Sequence, residues 1–145
     1  MNVANLINKN YIILSAIYLS IDIGYLLVVQ PYYENMIFTI QNRKMNARKV
    51  YGFVAYIILL LSIFYIGIPL MMLYKLQHPS TNNILISLYT MGLLGFTIYG
   101  VFDITNMYMF SQYSLIYALT DWLWGTFIFT ILGYIYLLLD YPISK

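Results

Sequence analysis

The chain has 145 residues, of which 62% are hydrophobic and 8% charged, and its formal net charge is +2. A soluble domain carries roughly a quarter charged residues, so this composition excludes a water-facing surface and points to a single membrane domain over residues 1–145. The lack of cysteine removes disulfides, thiolate nucleophiles, iron–sulfur clusters and cysteine-based zinc sites. The small net charge gives no reason to expect nucleic acid as a partner.

A helix needs about 20 mostly apolar residues to cross the ~30 Å hydrocarbon layer, and the chain offers four such runs. The first, residues 11–29, is interrupted by Asp22 and a few hydroxyls. It exceeds the apolar core of a signal peptide and is followed by Gln30-Pro31-Tyr32-Tyr33 instead of a small-residue cleavage site, so it is expected to be retained. Residues 30–50 follow as a loop holding Arg43, Lys44, Arg48 and Lys49, four of the seven basic side chains. The positive-inside rule makes this loop cytoplasmic and puts both termini on the opposite side. Within it Tyr33, Met36, Ile37 and Ile40 fall on one helical face, the pattern of a short interfacial helix. The four basic residues behind it are positioned to touch anionic lipid headgroups, although a plain topology signal explains them as simply.

The second run spans residues 51–74, with Pro69 near its end. His78, between Gln77 and Pro79 in the next loop, reads as a solvated residue, not a ligand. The third run covers residues 84–103 and the fourth residues 115–139. All four are continuously apolar, without the period-2 alternation of a membrane barrel. The fold class expected is therefore all-α, a four-helix transmembrane bundle with short loops.

Three acidic residues lie within or at the ends of these runs: Asp22, Asp103 and Asp121. An aspartate at the centre of a membrane helix costs ~2.5–3.5 kcal/mol, so each must find partners, a proton or water. Alternating helix direction brings all three to the same leaflet, Asp22 at ~10 Å and Asp121 at ~9 Å from the 30–50 side at 1.5 Å per residue. Tyr18, Tyr99 and Tyr117 precede them by four residues, and Tyr25, Asn106 and Trp124 follow by three. Those offsets share a helix face with each aspartate, and phenol, amide and indole groups donate to carboxylates. The chain has 17 tyrosines, so part of this pattern arises by chance. No Lys, Arg or His lies inside the runs, and neighbouring carboxylates in low dielectric do not all ionise together.

Gly92, Gly95, Gly100, Gly125 and Gly133 offer close helix approach within one chain. The segments Ile21-Asp22-Ile23-Gly24-Tyr25-Leu26, Tyr99-Gly-Val-Phe-Asp103-Ile-Thr-Asn106 and Thr120-Asp121-Trp122-Leu-Trp124-Gly125 together resemble a family of small predicted multi-pass membrane proteins of unknown function. That family shows Asp-Leu-Thr-Asn and Asp-x-x-Trp-Gly motifs in the same order. Tyr25 stands where the family usually has Trp, and Ile104 where it has Leu. The resemblance implies four spans and groups Asp22, Asp103, Asn106, Asp121 and Trp124 as a unit, without implying an activity. The skew toward Tyr, Ile, Asn and Phe is that of an AT-rich genome, such as a parasite, a mollicute or a large DNA virus.

These observations lead to a multi-pass membrane protein whose acidic cluster binds a proton, a cation or a small solute. The competing account is a structural or accessory subunit, of a virion or organelle membrane for instance, whose aspartates only fix helix packing. No His or Cys accompanies a hydroxyl nucleophile, so triad chemistry is not expected. A membrane enzyme acting on lipid rests on the Arg43 to Lys49 cluster alone. Metal is not expected, because hard cations ask for about six oxygens, and nothing calls for a cofactor.

Overall fold

The computed structural model describes residues 9–140. Lys145 and the chain ends, on which the two-sided topology also depends, lie outside the described residues. Four helices make up the fold: α1 (Lys9–Gln41), α2 (Lys49–Gln77), α3 (Asn83–Met109) and α4 (Leu115–Asp140). All four are long and apolar enough to cross a membrane. The all-α, four-span reading therefore holds, and the protein is an integral membrane bundle.

α1 is longer than its apolar run requires. Its 33 residues reach ~50 Å at 1.5 Å per residue, well beyond the hydrocarbon layer, and the helix passes straight through Pro31. Proline has no N–H for the carbonyl four residues back, here that of Leu27, whose residue is exposed. The interfacial helix expected at Tyr33–Ile40 is thus the last third of α1. Its apolar face turns inward, where Met36, flanked by Tyr33 and Ile40, packs on Tyr113, Tyr117 and Ala118.

α2 and α3 each contain one widened π turn, Ile63–Gly67 and Leu88–Gly92. The first precedes Pro69 and accommodates its missing N–H, an adjustment membrane helices tolerate when neighbours satisfy the freed groups. In the second, the Thr90 hydroxyl donates to the Ile86 carbonyl at 2.7 Å. The two wide turns meet where Gly67 lies against the Met91 side chain. Between the helices, Lys75 donates to the Pro79 and Thr81 carbonyls, the His78 ring packs at a tilt against Tyr74, and Asn82 caps α3 by accepting from the Ile84 N–H.

The core follows from the small residues. Gly95 of α3 lies backbone to backbone against Gly125 of α4, Gly125 supports the Tyr99 ring, and Gly100 lies under the Trp122 indole. Trp122 donates to the Phe96 carbonyl at 2.7 Å, tying α4 to α3. Of the most apolar window in each helix, 39% is buried in α3 and 44% in α4, against 17% in α1 and α2. The α3–α4 pair is therefore the spine, and α1 and the second half of α2 pack around it through Leu14, Tyr18, Ile63, Ile68 and Met71. The first half of α2, Lys49–Ser62, has no fully buried residue and touches the core through the partly buried Tyr56, Leu59 and Leu60.

Two glycine substitutions separate packing from composition. Gly95→Ala is expected to cost ~1–3 kcal/mol, because its methyl would meet the Gly125 backbone and neither helix can give way. Gly24→Ala, with nothing within 4 Å of the added carbon, is expected to leave stability unchanged or slightly improved. Thermal unfolding in detergent measures both.

Candidate functional site

The three aspartates lie at the end of the bundle where α1 and α3 finish and α2 and α4 begin. Each is buried: Asp22 is 4% exposed, Asp103 0% and Asp121 7%. Asp121 is near enough to both Asp103 and Asp22 to feel their charges. Each carboxylate nevertheless has its own surroundings.

Asp22 is fully engaged by other helices. The Tyr56 phenol of α2 donates to Oδ2 at 2.8 Å, and the Trp124 indole of α4 donates to Oδ1, also at 2.8 Å. Trp124 is held flat against Tyr25 of α1, with ring centroids 4.2 Å apart and an interplanar angle of 8°. An indole stacked in this way cannot turn its N–H elsewhere.

Asp103 is sealed. Its Oδ1 accepts from the Tyr113 hydroxyl at 3.0 Å, and its Oδ2 is buried without a partner. Tyr113 belongs to the short turn between α3 and α4, outside the spans. Burial, and then the Asp103 charge, push its phenol far above the usual range. It therefore remains a donor.

Asp121 is open. It lines a cavity of about 650 Å³ and receives no hydrogen bond of good geometry. The buried Tyr25 hydroxyl stands beside it and is the neutral polar group that interacts with it. Asp22 lines the same cavity, together with Tyr33, Tyr56, Tyr99 and Tyr117. Leu26, Val29, Ile58, Leu59, Ile98 and Phe102 make the rest of its walls largely apolar, and Met45 and Ala47 of the connecting loop close one end. Among the described residues no Lys, Arg or His is part of the lining.

The sequence pattern located the carboxylates and mistook some of their partners. Tyr18 is buried next to Tyr56 and Phe129 with its hydroxyl toward that of Tyr99, and Tyr99 packs its ring on Gly125 and Phe129. Tyr117 meets Tyr33 and Tyr113. None of these three donates to the aspartate that follows it by four residues. Asn106 does not join the group: its side-chain amide donates to the Phe102 carbonyl of its own helix at 3.0 Å. Trp124 serves Asp22, across the bundle. Tyr56 and Tyr113 were not anticipated. Tyr56 lies seven residues into α2, ~10 Å deep at 1.5 Å per residue, so matching depth with Asp22 would have singled it out. Tyr113 is in a turn, where helical spacing carries no signal. Arg43, Lys44, Arg48 and Lys49 are all exposed around the α1–α2 connection. Among the described residues no group of three His, Asp or Glu side chains is arranged to hold a metal ion.

The chain belongs to the family DUF2177, described as a predicted membrane protein, whose model matches residues 7–138. No curated protein and no solved structure matches it.

Removal of the Tyr113 hydroxyl tests whether Asp103 is sealed. Tyr113→Phe leaves that carboxyl with no donor and is expected to cost ~1–3 kcal/mol. Adding Asp103→Leu is expected to recover most of the loss, because an apolar pair needs no hydrogen bond. Unfolding midpoints of the two single variants and the double variant give the coupling.

Proposed function

We propose that the cavity is a binding site for a proton or a small cationic solute, with Asp121 and Asp22 supplying the charge, and that the protein works as a transporter-like or solute-binding module. The observation that carries this reading is Asp121: a carboxylate 93% buried and facing an open cavity, with the Tyr25 hydroxyl beside it and, among the described residues, no basic neighbour in the lining. A charge in that position is tolerated only when something neutralises it. In a membrane such residues mark ion and substrate paths. Tyr25, Tyr56, Tyr99, Tyr117 and Trp124 orient or screen the two carboxylates, and Asp103 tunes them from behind through its field. Asn106 stays outside the proposed site.

The loop bearing Arg43, Lys44, Arg48 and Lys49 is proposed to face the cytoplasm, so that the cavity opens from the cytoplasmic leaflet and both termini lie opposite. There the basic cluster would meet anionic headgroups.

A structural or accessory role is the second reading, and Asp22 favours it. With both oxygens occupied by donors from α2 and α4, that residue ties three helices together. The two readings differ at Asp121.

Thermal unfolding in lipid nanodiscs, repeated across acidity and sodium concentration, separates them. In the binding reading a ligand that prefers the folded state raises the midpoint with its concentration, and Asp121→Asn flattens that dependence while leaving a folded protein. Asp103→Asn shifts the midpoint without flattening the dependence. An unchanged dependence in Asp121→Asn would sink the binding reading and leave the structural one.

A further inference from the structure

We infer that the occupant of this cavity is a lipophilic organic ammonium, with a cationic head against Asp121 and an apolar body, and that it enters sideways from the bilayer between α1 and α2. The inference rests on the reading that the carboxylates hold a cation, and adds the class of cation and its route.

Charge fixes the sign of the ligand. Among the described residues the lining contains two carboxylates and no basic side chain, and Asp121 is buried with only the neutral Tyr25 hydroxyl beside it. An anion would be repelled, and a neutral solute would leave Asp121 uncompensated in low dielectric.

Size and wall chemistry fix the class. A space of about 650 Å³ falls within the range of pockets that hold small organic molecules and far exceeds a bare inorganic ion. A hard ion also asks for about six oxygen ligands at short range, whereas these walls are mostly hydrocarbon and ring. Leu26, Val29, Ile58 and Leu59 suit an apolar body. Tyr25, Tyr33, Tyr99 and Tyr117 bring ring faces to the same cavity as the carboxylates, and quaternary ammonium heads are recognised by such aromatic surroundings.

The entry route follows from exposure. Leu26 of α1 is 42% exposed and Ile58 of α2 57% exposed, yet both also line the cavity. The wall between them is therefore incomplete on the lipid-facing side. The first half of α2, which has no fully buried residue, forms one edge of this slot. Gly52 lies on that edge, lines the cavity and has no atom within 4 Å of the position a side chain would take.

The chain carries its own reporter. It has two tryptophans, and Trp124 is bonded to Asp22 and stacked on Tyr25. In Trp122→Phe the remaining indole reports on the cavity. The probe is hexyltrimethylammonium added to the full chain in uncharged maltoside micelles, with its neutral tert-butyl analogue, tetramethylammonium and sodium as comparisons. The expected result is a saturable shift of Trp124 emission, at least about tenfold tighter for the ammonium than for its neutral analogue. Asp121→Asn is expected to remove about tenfold in affinity, and Gly52→Phe to weaken or slow binding by narrowing the slot. A thermal shift with the unsubstituted protein provides the same comparison should Trp122→Phe fail to fold.

Equal binding of the neutral analogue, or undiminished ammonium binding in Asp121→Asn, overturns the inference. A response to sodium or acidity without one to hexyltrimethylammonium also overturns it, while leaving the cation site standing. Silence toward every cation and toward acidity removes both.

Discussion

Inside a bilayer a carboxylate has no water to turn to, and whatever satisfies it must come from the protein. Asp22 is in that position on α1, and the groups that answer it are the Tyr56 phenol of α2 and the Trp124 indole of α4. Three helices are therefore fixed about one side chain. Trp124 is in turn held by Tyr25, so the donor is locked from the same helix that carries the acceptor. The consequence reaches past packing. With α1 and α4 drawn together at this level and the first half of α2 left without a fully buried residue, the space between α1 and α2 remains open as the cavity.

The three aspartates have three different surroundings within one acidic cluster. Asp22 is saturated with donors, Asp103 is closed behind Tyr113 with one oxygen unmatched, and Asp121 faces the cavity with only the Tyr25 hydroxyl beside it. Their mutual repulsion has no cation inside the lining to relieve it. An acidic group left open among apolar and aromatic walls is a poor device for stability, since a well-packed apolar residue would serve better there. Its placement suits the cation site proposed above. The α3–α4 spine, with Gly95 on Gly125 and Trp122 over Gly100, supplies the rigid wall against which such a site can be kept in shape.

Much of the fold was legible in the sequence, because the cost of leaving a backbone polar group unpaired in lipid turns hydropathy into helix positions. The acidic residues were legible for a related reason: an aspartate in a span is costly enough to be conspicuous. Their partners were harder to read. Spacing along one helix lists the side chains that share its face, as for Tyr18 or Asn106, but a carboxylate takes its donors from any helix at its depth. Trp124 was singled out by its offset from Asp121 and turned out to serve Asp22. Tyr56 was within reach of a depth argument, and Tyr113 was not, because its place in a turn follows only from how α3 and α4 meet. The face of Tyr33, Met36 and Ile40 was read correctly as periodic. Its partner, the start of α4, replaced the lipid surface that periodicity alone suggests. The cavity had no local signal at all, since it arises from where α2 packs only in part.

Infrared spectroscopy of protein carrying carbon-13 in its aspartate carboxyls addresses the central claim directly. The band lost in Asp22→Asn belongs to the carboxylate that gathers the three helices. It is predicted to move in Trp124→Phe and in Tyr56→Phe, which remove its two donors, and in Asp121→Asn, which removes a neighbouring charge, and to stay in place in Trp122→Phe. A band that ignores Trp124, Tyr56 and Asp121 would mean that Asp22 stands apart from α2 and α4, and the shared acidic site would be contradicted.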